Sequence, residues 1–204
     1  MLNVCENGKE IQAIVKKIRA KKNQIYKDKF FFNNISDYIC LKKRYNKFGS
    51  KDKIFQAKYC IYYKFRGINN QIGNYFNLME KKERNLNSIL NRLGKDKKVH
   101  FSFTTKLIHT LDNSKPIYDK HISEELKLSK PYYNKNIDKR ILRRGEIYEE
   151  LKHKMYCLLS NEDIKKVILE FREKFCITDK EINNLKVLDS IIWSLYNIRR
   201  GKAK

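Results

Sequence analysis

Only two prolines, Pro116 and Pro131, and seven glycines interrupt a chain of 204 residues. Residues that open turns or tolerate positive φ are scarce, so long unbroken helices are what such a chain can build. The apolar pattern agrees. Ile11, Ile14, Val15, Ile18 and Ile25 recur at helical spacing, with Lys16, Lys17, Lys21 and Lys22 around them. Residues 36–45 continue the pattern, and Ser50 is placed to cap a helix carrying Ile54, Ala57, Ile61 and Phe65. Residues 80–93 predict a further helix closed by Gly94. Two capping boxes follow, Ser160-Asn-Glu-Asp163 in an Asp form and Thr178-Asp-Lys-Glu181 in the standard form. The first precedes the stripe Ile164, Val167, Ile168, Phe171, Phe175; the second precedes Ile182, Leu185, Leu188, Ile192, Leu195. Cys60-Ile-Tyr-Tyr, which could pass for a strand, sits inside a helical pattern, and no period-two alternation is sustained. The expected fold is all-α, a single domain over residues 1–204.

Charge narrows the function. Forty-six Lys and Arg stand against 23 Asp and Glu, a net +23. An AT-rich genome would supply lysine codons without selection, yet it would also supply acidic ones, so codon bias does not explain the imbalance. With 41% apolar and 12% aromatic residues the chain has material for a core, which excludes global disorder. Its excess positive charge concentrates it on phosphate polyanions or acidic surfaces. Residues 1–157 form the strongly basic part, and 158–204 read as a C-terminal helical scaffold. The dense clusters are Lys16-Lys17-x-Arg19-x-Lys21-Lys22, Lys42-Lys43-Arg44, Lys95-x-Lys97-Lys98 and Arg143-Arg144. Each cation placed on a phosphate releases a condensed counterion and adds salt-sensitive affinity. Lys42, Lys43, Arg44, Lys97, Lys98, Arg143 and Arg144 are therefore the expected phosphate contacts. Interleaved aromatics (Tyr26, Phe30, Phe31, Phe32, Tyr45, Tyr62, Tyr63, Tyr132, Tyr133) suit stacking on unpaired bases or, equally, a core. The expected partner is nucleic acid, DNA ahead of RNA.

Five cysteines, odd in number and with no CxxC pair, read as reduced thiols, and the four histidines lack metal-ligand spacing. No metal or cofactor is expected. Residues 1–12 lack the apolar core of a signal peptide, and no apolar run is long enough to span a membrane, so a cytoplasmic protein is expected.

Residues 94–122 carry a more specific pattern. A short polar turn after Gly94 leads to a helix with Lys106 in its first turns; a loop Pro116-Ile-Tyr-Asp119-Lys-His121-Ile122 then delivers Asp119 to the start of another helix over residues 120–127. This stretch resembles the catalytic segment of the helix-hairpin-helix DNA glycosylases, whose loop has the form Pro-Val-Asp-x-His-Val. It also resembles a stretch of uncharacterised small bacterial proteins that share a closing Leu188-Asp189-x-x-x-Trp193 helix. The glycosylase resemblance implies a glycosylase-like fold, Lys106 attacking the sugar C1′, Asp119 stabilising the cationic sugar or taking a proton, and Thr105 beside them on the nucleic acid. It covers about thirty residues, and of the hairpin's glycines only Gly94 is present. Read without the family, Asp119 is an ordinary helix N-cap and Lys106 a surface cation.

Other readings find less support. Glu125-Leu-Lys127 and Glu150-Leu-Lys152 have the short Glu-x-Lys form of metal-dependent nucleases, but on helices they predict surface charge pairs. No arginine precedes a histidine at the spacing of an α-helical ribonuclease, and Arg199-Arg200 has no apolar anchor beside it. Two hypotheses remain: a non-catalytic nucleic-acid-binding protein, and a diverged DNA glycosylase or lyase using Lys106 and Asp119.

Overall fold

The computed structural model describes residues 4–65, 69–94, 100–131 and 134–201. Among them every regular element is a helix: α1 (Val4–Lys27), α2 (Lys29–Phe48), α3 (Lys53–Tyr62), α4 (Asn69–Glu80), α5 (Leu86–Leu93), α6 (Phe101–Leu111), α7 (Lys120–Glu125), α8 (Ile137–Ser160), α9 (Glu162–Phe175) and α10 (Asn184–Arg199). The all-α expectation holds. The chain divides into two compact units: unit 1 holds residues 1–35, 118–130 and 147–204, and unit 2 holds 36–117 and 131–146. Helices α2 and α8 each contribute to both.

Unit 1 is organised on α10, which is buried on nearly every side, from Leu185 to Asn197 with Trp193 half-exposed. Helices α1, α7 and α9 pack against it. The predicted stripe of α1 is buried in full, with Ile18 and Ile25 inaccessible, and so is that of α10. In the α9 stripe Ile164, Val167, Ile168 and Phe171 are buried and Phe175 is half-exposed. A helix buried all round has no solvent face for its polar residues, so they pair. The Lys186 ammonium bonds Asp189 one turn on, and Ser194 Oγ donates to Asp28 Oδ2 at 3.4 Å. Lys154 on α8, also buried, donates to the Leu126 carbonyl at the end of α7 at 3.0 Å. It pairs with Glu10 at 3.0 Å and Glu150 at 3.1 Å.

Unit 2 has an aromatic core built from Phe55, Tyr59, Tyr63, Tyr75 and Phe76, with Leu41, Met79, Ile89, Leu107 and Ile108. Burying tyrosines requires partners for their hydroxyls. Tyr75 donates to the Phe103 carbonyl at 2.9 Å, so the Tyr59 hydroxyl, 2.8 Å away, donates to Tyr75. Burial pushes both phenols well above the usual tyrosine pKa. His109 is anchored the same way: its Nδ1–H donates to the Lys115 carbonyl at 2.6 Å, leaving Nε2 to accept from Tyr38 at 2.8 Å.

Several boundaries depart from the sequence reading. Asp52, not Ser50, caps α3, accepting the Phe55 N–H; Ser50 is buried and its carbonyl accepts from Gln56. The helix expected over 80–93 begins only at Leu86, capped by Asn85, because α4 runs to Glu80 and a turn follows it. Asn161 rather than Ser160 caps α9, while Ser160 donates back to Tyr156. Thr178 and Glu181 do bond each other, but they close a separate turn, and Asn183 caps α10. In α3 the buried face is Phe55 and Tyr59; of the expected stripe Ile54, Ala57 and Ile61 lie in water, while Phe65, past the helix end, is half-buried against Tyr75 and Phe103.

Candidate nucleic-acid interface

The two units differ in charge. Unit 2, with 98 residues, carries 23 basic against 8 acidic side chains, a net +15; unit 1, with 106, carries 23 against 15, a net +8. They also differ in how the cations are used. Among the described residues ten cations of unit 1 sit in ion pairs within that unit. In unit 2 Arg44, Lys51, Lys115 and Arg143 do. Lys47, Lys53, Lys58, Lys64, Lys81, Lys82, Lys135 and Lys139 are exposed and make no ion pair with a described residue.

The predicted contacts fare differently. Lys43 is exposed on α2. Lys42, its neighbour, is half-buried against Tyr38, Tyr45 and Phe55, and that burial lowers its ammonium pKa. Arg44 is engaged with Asp52 in a two-bond fork, Nε–Oδ1 at 2.6 Å and Nη2–Oδ2 at 2.9 Å, which holds the Asp52 carboxyl below its usual range. Arg143 bonds Glu146 at 2.7 Å, and Arg144 donates to the Arg140 carbonyl at 3.0 Å. Thr105 is fully buried with its hydroxyl on the Ser102 carbonyl, so its side chain offers nothing to a phosphate. Lys97 and Lys98 lie outside the described residues, as do Tyr132 and Tyr133.

The cluster on α1 is partly engaged too. A furrow of about 820 Å³ between α1 and α9 is lined by Lys16, Arg19, Lys22 and Lys166, but Arg19 bonds Asp163 at 3.0 Å and Lys22 bonds Glu170 at 2.7 Å across it. Lys17 pairs with Glu125 at 3.6 Å.

The expected helix–loop–helix order around Lys106 is present: α6, then residues 112–119, then α7, which ends at Glu125 rather than at 127. Lys106 belongs to unit 2 and Asp119 to unit 1. The Lys106 ammonium lies over two aromatic rings, 4.9 Å from the Phe103 centroid and 5.3 Å from that of Tyr63. Such a seat is one that an ammonium takes as a structural cation. Asp119, with extended backbone, accepts the Ile122 N–H at 2.8 Å as the N-cap of α7. His121 stacks on Tyr196, centroids 4.0 Å apart, with Trp193 at 5.4 Å.

Glu125 and Glu150 are not the surface pairs expected of them. Glu125 is buried between Lys17 and Arg199, whose Nε lies 2.9 Å away. Glu150 holds Lys154 and accepts the Ser129 N–H at 3.0 Å. Among the described residues no three His, Cys, Asp or Glu side chains converge on a metal-sized site, and no helix is long and apolar enough to cross a membrane. Neither a protein-family model, nor a curated protein, nor a solved structure matches the chain.

Proposed function

We propose that this chain is a basic α-helical nucleic-acid-binding protein, with DNA as its partner, in which Lys106 and Asp119 serve structure. The observation that carries the reading is the charge of unit 2: +15 on 98 residues, with eight exposed lysines outside any ion pair to a described residue. Such a surface repels itself in water and gains counterion-release entropy on a phosphate backbone. The cap at Asp119 and the aromatic seat of Lys106 support the non-catalytic half of the proposal.

Fluorescence anisotropy with a duplex DNA, a single strand and a duplex RNA, between roughly 50 and 200 mM salt, tests it. Affinity should fall steeply with salt and be greatest for DNA. Lys47→Glu, Lys64→Glu and Lys81→Glu together should flatten the slope by about one unit for each phosphate no longer neutralised. No binding at 50 mM salt, or a slope unmoved by the triple variant, refutes the reading.

The α6–loop–α7 order favours one second reading, a diverged helix-hairpin-helix glycosylase or lyase acting through Lys106. Its signature is an imine between the Lys106 amine and an abasic-site aldehyde, formed with loss of water and fixed by borohydride as a covalent adduct. An adduct that forms in the native chain and vanishes in Lys106→Ala would put this reading first.

A further inference from the structure

Helix α3 has two apolar stripes and buries one of them. Phe55 and Tyr59 face the core and are inaccessible. At 100° per residue, Ile54, Ala57 and Ile61 fall within about 60° of one another on the opposite side. Ile61 is 78% exposed and Ile54 53%. Exposed apolar side chains elsewhere, such as Leu142 on α8 and Leu169 on α9, stand singly and need no explanation. A stripe at i, i+3 and i+7 is the seam of a helix that packs on two sides.

The surroundings restrict what can cover it. Lys53 falls on one flank of the stripe and Lys58 on the other, and α3 contains no acidic residue. The nearest acid, Asp52, is engaged with Arg44 and the helix cap. A second copy would bring another +15 unit against this one and is disfavoured by charge. A phosphate backbone would satisfy Lys53 and Lys58 but leave the isoleucines in water or against anionic oxygens. A helix with its own apolar stripe flanked by carboxylates satisfies both at once, apolar seam on apolar seam and acid beside each lysine, as the flanking positions of a coiled coil do.

We propose that the outer face of α3 docks an acidic amphipathic helical segment of a partner protein. Its apolar seam of Ile54, Ala57 and Ile61 is distinct from the phosphate contacts proposed above, although Lys53 and Lys58 border both.

The test uses the whole chain with isoleucine methyls labelled for NMR. The probe is a synthetic helix of about three heptads, leucine at the seam and glutamate on its flanks. Saturable shifts of the Ile54 and Ile61 methyls, with other isoleucines unmoved, are expected. Ile54→Ser with Ile61→Ser should weaken binding about tenfold or more, each side chain being about half to fully uncovered before docking; Lys53→Glu with Lys58→Glu should also weaken it. Both variants lie on exposed positions and should keep the native melting temperature. Peptide that leaves these methyls unmoved, or binds the serine variant equally well, overturns the proposal. If duplex DNA, or phosphatidylglycerol vesicles, shift the same methyls when the peptide does not, the surface belongs to nucleic acid or to lipid instead. Duplex DNA affinity of the serine variant should equal that of the native chain, so loss of the nucleic-acid reading and loss of this one register separately.

Discussion

Replacing Asp119 by alanine and, separately, by asparagine distinguishes a cap from a catalyst. The Asp119 carboxylate accepts the Ile122 N–H at 2.8 Å at the start of α7, a helix of six residues. In so short a helix the first turn is most of the element, and fraying would disturb Ile122 and Glu125, both buried. Removing an N-cap side chain costs about 1 kcal/mol, which in a chain of this length lowers the melting temperature by about 2–4 °C. Asparagine keeps the accepting oxygen and ranks with aspartate as a cap, so Asp119→Asn should lose only a few tenths of a kcal/mol, from the interaction of the charge with the helix dipole. Thermal unfolding by circular dichroism reads the pair, and strand cleavage of an abasic-site duplex is measured on the same samples. If asparagine destabilises as much as alanine, the capping argument is wrong. If asparagine leaves stability intact but removes a cleavage activity that the native chain possesses, the carboxylate is chemical and the glycosylase reading is restored.

Lys154→Met should cost about 3–5 kcal/mol in urea unfolding, because it strands Glu150 and the Leu126 carbonyl in a buried site; a loss under about 1 kcal/mol would show that neighbours relax around it. On α3, Phe55→Ala should cost about 3–5 kcal/mol and Ile54→Ala under about 0.5; comparable losses would mean the helix is rotated from its described phase. Tyr26 is pushed up to about 12 by burial and by Glu170 beside it. The folded chain therefore holds the phenolic proton after the unfolded chain has released it near pH 10, and stability present below pH 10 should drain away between pH 10 and 12. Buried Tyr59 and Tyr75 are raised as well and add to the same fall, so Tyr26→Phe should make the decline of denaturation midpoints between pH 10 and 12 shallower without abolishing it, and a variant with the same pH profile would refute the assignment.

The helices of unit 1 were legible because their apolar positions are aliphatic and evenly spaced: Ile11 to Ile25 and Ile182 to Leu195 lie where periodicity puts them. Helix α3 was misread because two stripes compete on ten residues. Phe55 and Tyr59 have more area to bury than isoleucines, and their aromatic neighbours come from α2 and α4, a context spacing alone does not carry. The caps slipped by one to five residues because Asn161, Asn183 and Asp52 lie beside the serine and threonine signals and cap equally well. Burial of Lys154 and Lys186 was invisible, since a lysine enters a core only where distant groups such as Glu10 and the Leu126 carbonyl converge. The candidate interface was half legible. Net charge pointed to a polyanion, but which cations are engaged internally depends on pairings such as Lys22 with Glu170, 148 residues apart. Density of lysines in the sequence therefore overstated α1 and Arg44, and it passed over the exposed lysines of α3 and the α4–α5 turn.

The order in which unit 1 is strung along the chain has a consequence for its synthesis. Helix α1 packs on α10, yet 157 positions separate Lys27 from Asn184. At about 5–20 residues per second, α1 waits on the order of 10–30 s for its partner to leave the ribosome. Residues 36–117, by contrast, form most of unit 2 as one continuous stretch. Throughout that interval the isoleucines of α1 lack the helix that buries them in the finished fold, so the nascent chain carries more uncovered apolar surface than the completed one.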